Sequence, residues 1–224
     1  MKFQVFSHRH AKQILENTPE YQLLYLEVIE AIENVTEERL IRHFTDNYES
    51  LGKAKKSISE SINQVLKAEL VAAGWRPEAK IFRDADFGDG KWRLDFAKST
   101  PIPESDSRTY VDEGETGISI EVGFNNSGSI AWNLLKPVLA SELNHVEKDI
   151  QTSLGIVITA SRDLKLSGGF DNAIGVFEDY VSHLVPLRDV LTVPILVIGL
   201  TATETFRIRH ERRGNTTYGH VELF

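Results

Sequence analysis

Two short apolar runs constrain this chain more than any other feature. Gly155-Ile156-Val157-Ile158-Thr159 and Val193-Pro194-Ile195-Leu196-Val197-Ile198-Gly199-Leu200 carry no polar alternation. A strand with one wet face alternates with period two, so an unbroken run predicts a strand covered on both faces. Such strands need helices on either side of their sheet. Thr18-Pro19-Glu20 opens one, with a capping hydroxyl, proline at the first helical position and an acid in the first turn. Tyr21, Leu24, Tyr25, Val28 and Ile32 follow at helical spacing, predicting a helix over 19–34. A second is expected from about Lys55 to Ala73 on the stripe Ile58, Ile62, Val65, Leu66, Leu70, with Gly74 ending it. Further helices are expected at 130–144, with Leu134, Leu135, Val138, Leu139 and Leu143 facing the core, and at about 171–184.

Between these helices the period changes. Short strands are predicted at 80–83, 91–97 and 118–124. Helices first, then an antiparallel meander, then strand–helix–strand define an α/β fold with a mixed central β-sheet flanked by helices. No repeat or linker divides the chain, so residues 1–224 are expected to form a single domain, with a polar insertion at about 99–117.

Two of the predicted strands carry one carboxylate each among alternating residues. In Lys91-Trp92-Arg93-Leu94-Asp95-Phe96-Ala97-Lys98 it is Asp95; in Ile118-Ser119-Ile120-Glu121-Val122-Gly123-Phe124 it is Glu121. Period two turns both away from the apolar face. If the strands are neighbours, the pair can converge on one divalent cation. Magnesium suits such a site, because it binds through one or two carboxylates and retains water and phosphate ligands. Carboxylates on the wet face of a hairpin are also ordinary, so the pair alone does not decide the matter.

Other chemistries find less support. There is no Gly-rich phosphate loop, and Gly168-Gly169 reads as a turn. The seven histidines show no ligand spacing, and Ser161 and Ser167 lack a nucleophile-elbow context. The absence of cysteine excludes disulfides and thiolate metal sites. The N-terminal residues form no apolar signal region, and the longest apolar run is too short to span a bilayer, so a cytoplasmic protein without membrane association is expected. Net charge is −8, yet two basic clusters stand out: Lys53, Lys55, Lys56, and Arg207, Arg209, His210, Arg212, Arg213. Phosphate contacts depend on such local clusters more than on the sum, although a solvated charged face is the commoner explanation of either cluster taken alone.

Several segments, in order, resemble one known family. Phe6-Ser7-His8 looks like an opening strand, and Ala68-Glu69-Leu70-Val71 through Gly74-Trp75 like the end of the helix before a catalytic core. Asp95-Phe96-Ala97-Lys98 is similar to an Asp-Phe-x-Lys leading into that core, and Ile120-Glu121-Val122-Gly123-Phe124-Asn125-Asn126 to a hydrophobic-Glu-Val-x-Phe strand. The two apolar runs resemble the later core strands, and Arg212-Arg213-Gly214-Asn215-Thr216-Thr217-Tyr218 a basic tail. Together they resemble the type II restriction endonucleases of the BglII and BstYI group, relatives of BamHI among the PD-(D/E)xK nucleases.

That resemblance implies a restriction-endonuclease-like fold, a homodimer, double-stranded DNA as partner and magnesium as cofactor. It places Asp95 and Glu121 at the metal and makes the Val122 carbonyl a further ligand. Glu78 falls near a polar active-site position. Asn125, Asn126, Arg207, Arg209, Arg212, Arg213, Lys55 and Lys56 become candidates for contacting DNA. Two departures stand out. Family members carry Lys, Gln or Glu at Gly123, where a side chain orients the attacking water; Lys98, Lys136 and Glu78 are the possible replacements, Lys98 first. The insertion also lengthens the Asp95–Glu121 separation, so Asp106 or Asp112 is an alternative to Asp95. The rival readings are a non-catalytic DNA-binding protein on the same fold and a modification-dependent nuclease.

Overall fold

A computed structural model describes residues 1–83, 92–101, 115–142 and 146–224. In chain order the elements are β1 (Phe3–His8), α1 (Ala11–Asn17), α2 (Pro19–Glu33), α3 (Glu37–Phe44), α4 (Ser59–Ala72), β2 (Arg76–Lys80), β3 (Arg93–Pro101), β4 (Glu115–Val122), α5 (Ile130–Ser141), β5 (Leu154–Ala160), α6 (Arg162–Ser167), α7 (Phe177–Leu184), β6 (Ile195–Leu200), β7 (Phe206–Arg213) and β8 (Thr216–Leu223). Six strands form one sheet in the order β1-β6-β5-β4-β3-β2. The β4–β5 and β5–β6 pairs are parallel; β1–β6, β2–β3 and β3–β4 are antiparallel.

The two apolar runs are the centre of this sheet. Every residue of β5 and β6 is buried. Alternate residues serve opposite faces: Ile156, Ile158, Leu196 and Ile198 join the core that includes α2 and α4, while Val157, Ile195 and Val197 join α5 and α7. This is the two-faced burial that an unbroken apolar run requires. α2 matches its expected span closely, ending at Glu33. α4 begins later than expected, at Ser59, and Gly74 follows it at φ 86, a left-handed stop that favours glycine.

The meander differs from expectation in its limits. The strand expected at 80–83 lies at Arg76–Lys80, and the helix expected at 171–184 starts at Phe177. β3 and β4 run into the segment read as a polar insertion: Ser99, Thr100 and Pro101 pair with Gly117, Thr116 and Glu115. Polar composition misleads here because hydrogen bonds replace apolar packing. Thr116 is buried and its hydroxyl bonds those of Tyr21 at 2.5 Å and Ser153 at 3.0 Å. Residues 102–114, with Asp106 and Asp112, lie outside the described residues.

The basic tail is a β-hairpin, β7–β8, closed by Gly214-Asn215 with Gly214 at φ 61. A two-residue turn with positive φ matches the twist of the strands it joins. Phe206 and Ile208 anchor the hairpin in the main core. Its outer strand bonds the loop before α4: Gly219 N–H donates to Lys55 O at 2.7 Å.

Candidate active site

β3 and β4 bring the two carboxylates together. Phe96 lies opposite Ile120, so one further step along the antiparallel register sets Asp95 beside Glu121. The Val122 N–H donates to Asp95 Oδ2 at 2.7 Å, fixing that carboxylate against the end of β4. Glu121 is not open to solvent, contrary to its reading as a residue on a polar surface, whereas Asp95 is half-buried and lines a cleft. α5 and α7 cover Glu121, which is 1% exposed.

α5 supplies the charge that makes this burial tolerable. Lys136 Nζ forms an ion pair with Glu121 Oε2 and donates to Arg93 O at 3.1 Å. The helix approaches closely because Gly155 of β5 lies beneath it, where a Cβ would stand 2.7 Å from that of Pro137. Glu121 Oε1 is buried and has no hydrogen-bond partner. Burial first, then the charge of Asp95, pushes the Glu121 carboxyl up to about 8 despite the attraction of Lys136.

On the other side of Asp95 a cleft of about 240 Å³ opens, lined by Val122, Asn125, Glu78, Asn63 and Lys67 among others. Glu78 reaches it from an unusual backbone, with φ 49, a left-handed conformation uncommon outside glycine. Its carbonyl is held by Arg93 Nη1 at 2.9 Å. Asn63, on α4, contributes a second buried acceptor without a partner, Oδ1. Lys67, one turn further along, is exposed at the mouth.

Lys98 is elsewhere. Its ammonium donates to both Glu27 carboxylate oxygens at 2.8 Å and to Ala73 O at 2.7 Å, tying β3 to α2 and to the end of α4. Three positions along a strand is an odd step, which turns Lys98 to the face opposite Asp95. Lys98, the first candidate for the missing side chain at 123, is therefore not brought to that position, whereas Lys136 stands beside Glu121. Asn126 is occupied too: its side-chain oxygen accepts from Gly128 N–H at 2.9 Å and caps a short 3₁₀ turn. Asn125 faces the cleft.

The two basic clusters, distant in sequence, meet in space. His210 Nε2 lies 3.0 Å from Lys56 O, which brings the Lys55–Lys56 loop against the face of β7 that carries His210 and Arg212; Arg209 is on the opposite face, and Lys55 pairs with Glu60 at 3.8 Å. Arg207 and Arg213 are partly compensated by ion pairs with Glu222 and Glu211.

Three groups at the site escaped the sequence reading: Asn133, Tyr180 and Asn63. On α5 the apolar stripe drew attention to Leu135, Val138 and Leu139, whereas the most buried positions include Asn133, Lys136, Pro137 and Ala140. The 133, 136, 137, 140 spacing was itself the signal, an i, i+3, i+4, i+7 stripe of small and polar residues.

No cluster of three His, Cys, Asp or Glu that could hold a metal occurs among the described residues. The available donors are two carboxylates, one with an unpartnered buried oxygen, and the main chain at Val122. Such a set fits a hard cation that keeps several waters and does not fit a fully caged metal.

A mixed sheet flanked by helices, with two carboxylates and a lysine gathered where two adjacent strands end, defines a protein of the restriction-endonuclease fold. The chain belongs to the BglII/BglIII restriction endonuclease family, whose model matches residues 3–200. Among solved structures it is similar to restriction endonuclease BglII complexed with a DNA 16-mer, at 19% identity and a TM-score of 0.60, with 100% of each chain covered. Free BglII also matches over 100% of each chain, at 15% identity and a TM-score of 0.47. No curated protein sequence matches. No helix among the described residues is long and apolar enough to cross a membrane.

Proposed function

We propose that this type II restriction endonuclease hydrolyses phosphodiester bonds in double-stranded DNA, at a short palindromic site, as a magnesium-dependent homodimer. One observation carries the reading: a buried carboxylate oxygen of Glu121 with no hydrogen-bond partner lies beside Asp95, which itself lines a polar cleft. Orphaned buried acceptors are costly, and a cation would satisfy this one. A divalent cation held there would supply Lewis acidity and would lower the pKa of its bound water.

The chain's own residues do the rest. Asp95, Glu121 and the Val122 carbonyl would hold the ion. Lys136 anchors Oε2 of Glu121 and leaves Oε1 for the metal. The ammonium of Lys67 is exposed to meet a phosphate at the cleft mouth. Asn125, Lys55, Lys56, Arg209 and Arg212 would contact the nucleic acid, where planar guanidinium groups suit phosphates and guanine edges alike. Cutting both strands of a palindrome requires two sites related by a two-fold axis, hence the dimer.

Asp95→Asn tests the reading. Plasmid cleavage in magnesium should disappear while DNA binding in calcium persists; a variant that cuts at the native rate would remove Asp95 from the site. Comparing methylated with unmethylated plasmid separates a modification-dependent nuclease. A native chain that binds DNA but never cuts it would favour the non-catalytic alternative.

A further inference from the structure

The absence of a side chain at position 123 has a physical counterpart across the sheet. A Cβ built on Gly123 would stand 2.2 Å from the Tyr180 hydroxyl oxygen, 2.9 Å from its Cζ and 3.3 Å from Asn133 Nδ2. The hydroxyl thus fills the space where a residue-123 side chain would begin. Gly123 is held firmly there: its N–H donates to Ile158 O and its carbonyl accepts from Thr159 Oγ1, both at 2.8 Å. Tyr180 is 1% exposed, packed among core residues of α5, α7 and β6.

The hydroxyl is also oriented. Asn133 Nδ2 donates to it at 2.7 Å, which occupies a lone pair and leaves the phenolic proton to be given elsewhere. Burial first, and then the charges of Glu121 and Asp95, push the Tyr180 hydroxyl up to about 12, so it keeps its proton as a donor. Lys136, the other donor near by, is already engaged by Glu121 and Arg93 O.

We propose that Tyr180, set by Asn133, replaces the missing residue-123 side chain and donates the hydrogen bond that orients the attacking water. This rests on the nuclease reading of the Asp95–Glu121 site. The glycine and the tyrosine then form one unit: a side chain on the strand and a hydroxyl on α7 are alternative occupants of the same place.

Tyr180→Phe keeps the ring and removes only the proton. Single-turnover cleavage in magnesium should fall about 10²-fold, within the range of lost acid–base or water-orienting groups, with DNA binding in calcium unchanged within twofold. A second measurement needs neither metal nor DNA. Gly123→Ala should lower the melting temperature of the metal-free protein by roughly 4–8 °C, as overpacking does in a chain of this size. In a Tyr180→Leu background the same substitution should cost much less. Cleavage by Tyr180→Phe at the native rate, or a Gly123→Ala penalty equal in both backgrounds, would overturn the proposal. If the native chain itself leaves DNA intact, the nuclease reading fails and takes the role of Tyr180 with it.

Discussion

Glu121 is the only acidic side chain among the described residues that is fully buried, and this has a measurable consequence without any metal present. The folded protein holds the Glu121 proton up to about pH 8, against an ordinary value of 4.5. Between those values the native state carries a proton that the unfolded chain has released. Raising the pH therefore favours unfolding. The contribution is fully present below about 4.5 and is lost as pH rises toward 8. At about 1.4 kcal/mol per pKa unit the whole interval is worth about 5 kcal/mol. Glu121→Gln carries no proton to lose and keeps an acceptor for Lys136. Urea unfolding of both proteins in EDTA, from pH 5 to 8.5, isolates the effect as a difference, since other titrating groups cancel. The difference in unfolding free energy should move steadily in favour of the glutamine variant as pH rises. A difference that stays flat across that interval would refute the buried, proton-retaining carboxyl.

Three further outcomes follow from the packing. Lys98→Ala should cost about 1–2 kcal/mol of stability through its lost bonds to Glu27 and Ala73, yet cleave DNA within twofold of the native rate; a large rate loss would return Lys98 to the chemistry. Gly155→Ala should cost about 1–3 kcal/mol and slow cleavage, because a Cβ 2.7 Å from Pro137 must displace the helix that carries Lys136; thermal melts and single-turnover assays read both. Replacing Arg209 and Arg212 by glutamine should flatten the log–log salt dependence of DNA binding by about one unit per lost phosphate contact, and an unchanged slope would assign the hairpin to a solvated role.

The central strands were legible because their signal is local. An unbroken apolar run has one stable environment, between two layers, so Ile156 to Ile158 and Ile195 to Ile198 announced the α/β sheet unaided. The carboxylate pair was legible for a similar reason, since period two assigns Asp95 and Glu121 to a face before any partner is known. The same rule, applied one residue at a time, would have turned Lys98 away from that face.

What covers that face was decided only by tertiary structure. Asn133 and Lys136 of α5, and Tyr180 of α7, reach Glu121 and Gly123 from distant parts of the chain. No local period links position 123 to position 180. Their juxtaposition depends on how closely α5 and α7 settle on the sheet, a distance set in part by Gly155 and Gly123 as points of close approach. The docking of the Lys55–Lys56 loop on the β7–β8 hairpin is of the same kind, made through the Lys55 and Lys56 carbonyls, groups present in any residue. Sequence determined which strands are buried and which carboxylates share a face, because those follow from the repeat of one element. Packing between elements determined which amine meets Glu121 and which hydroxyl fills the space beside Gly123.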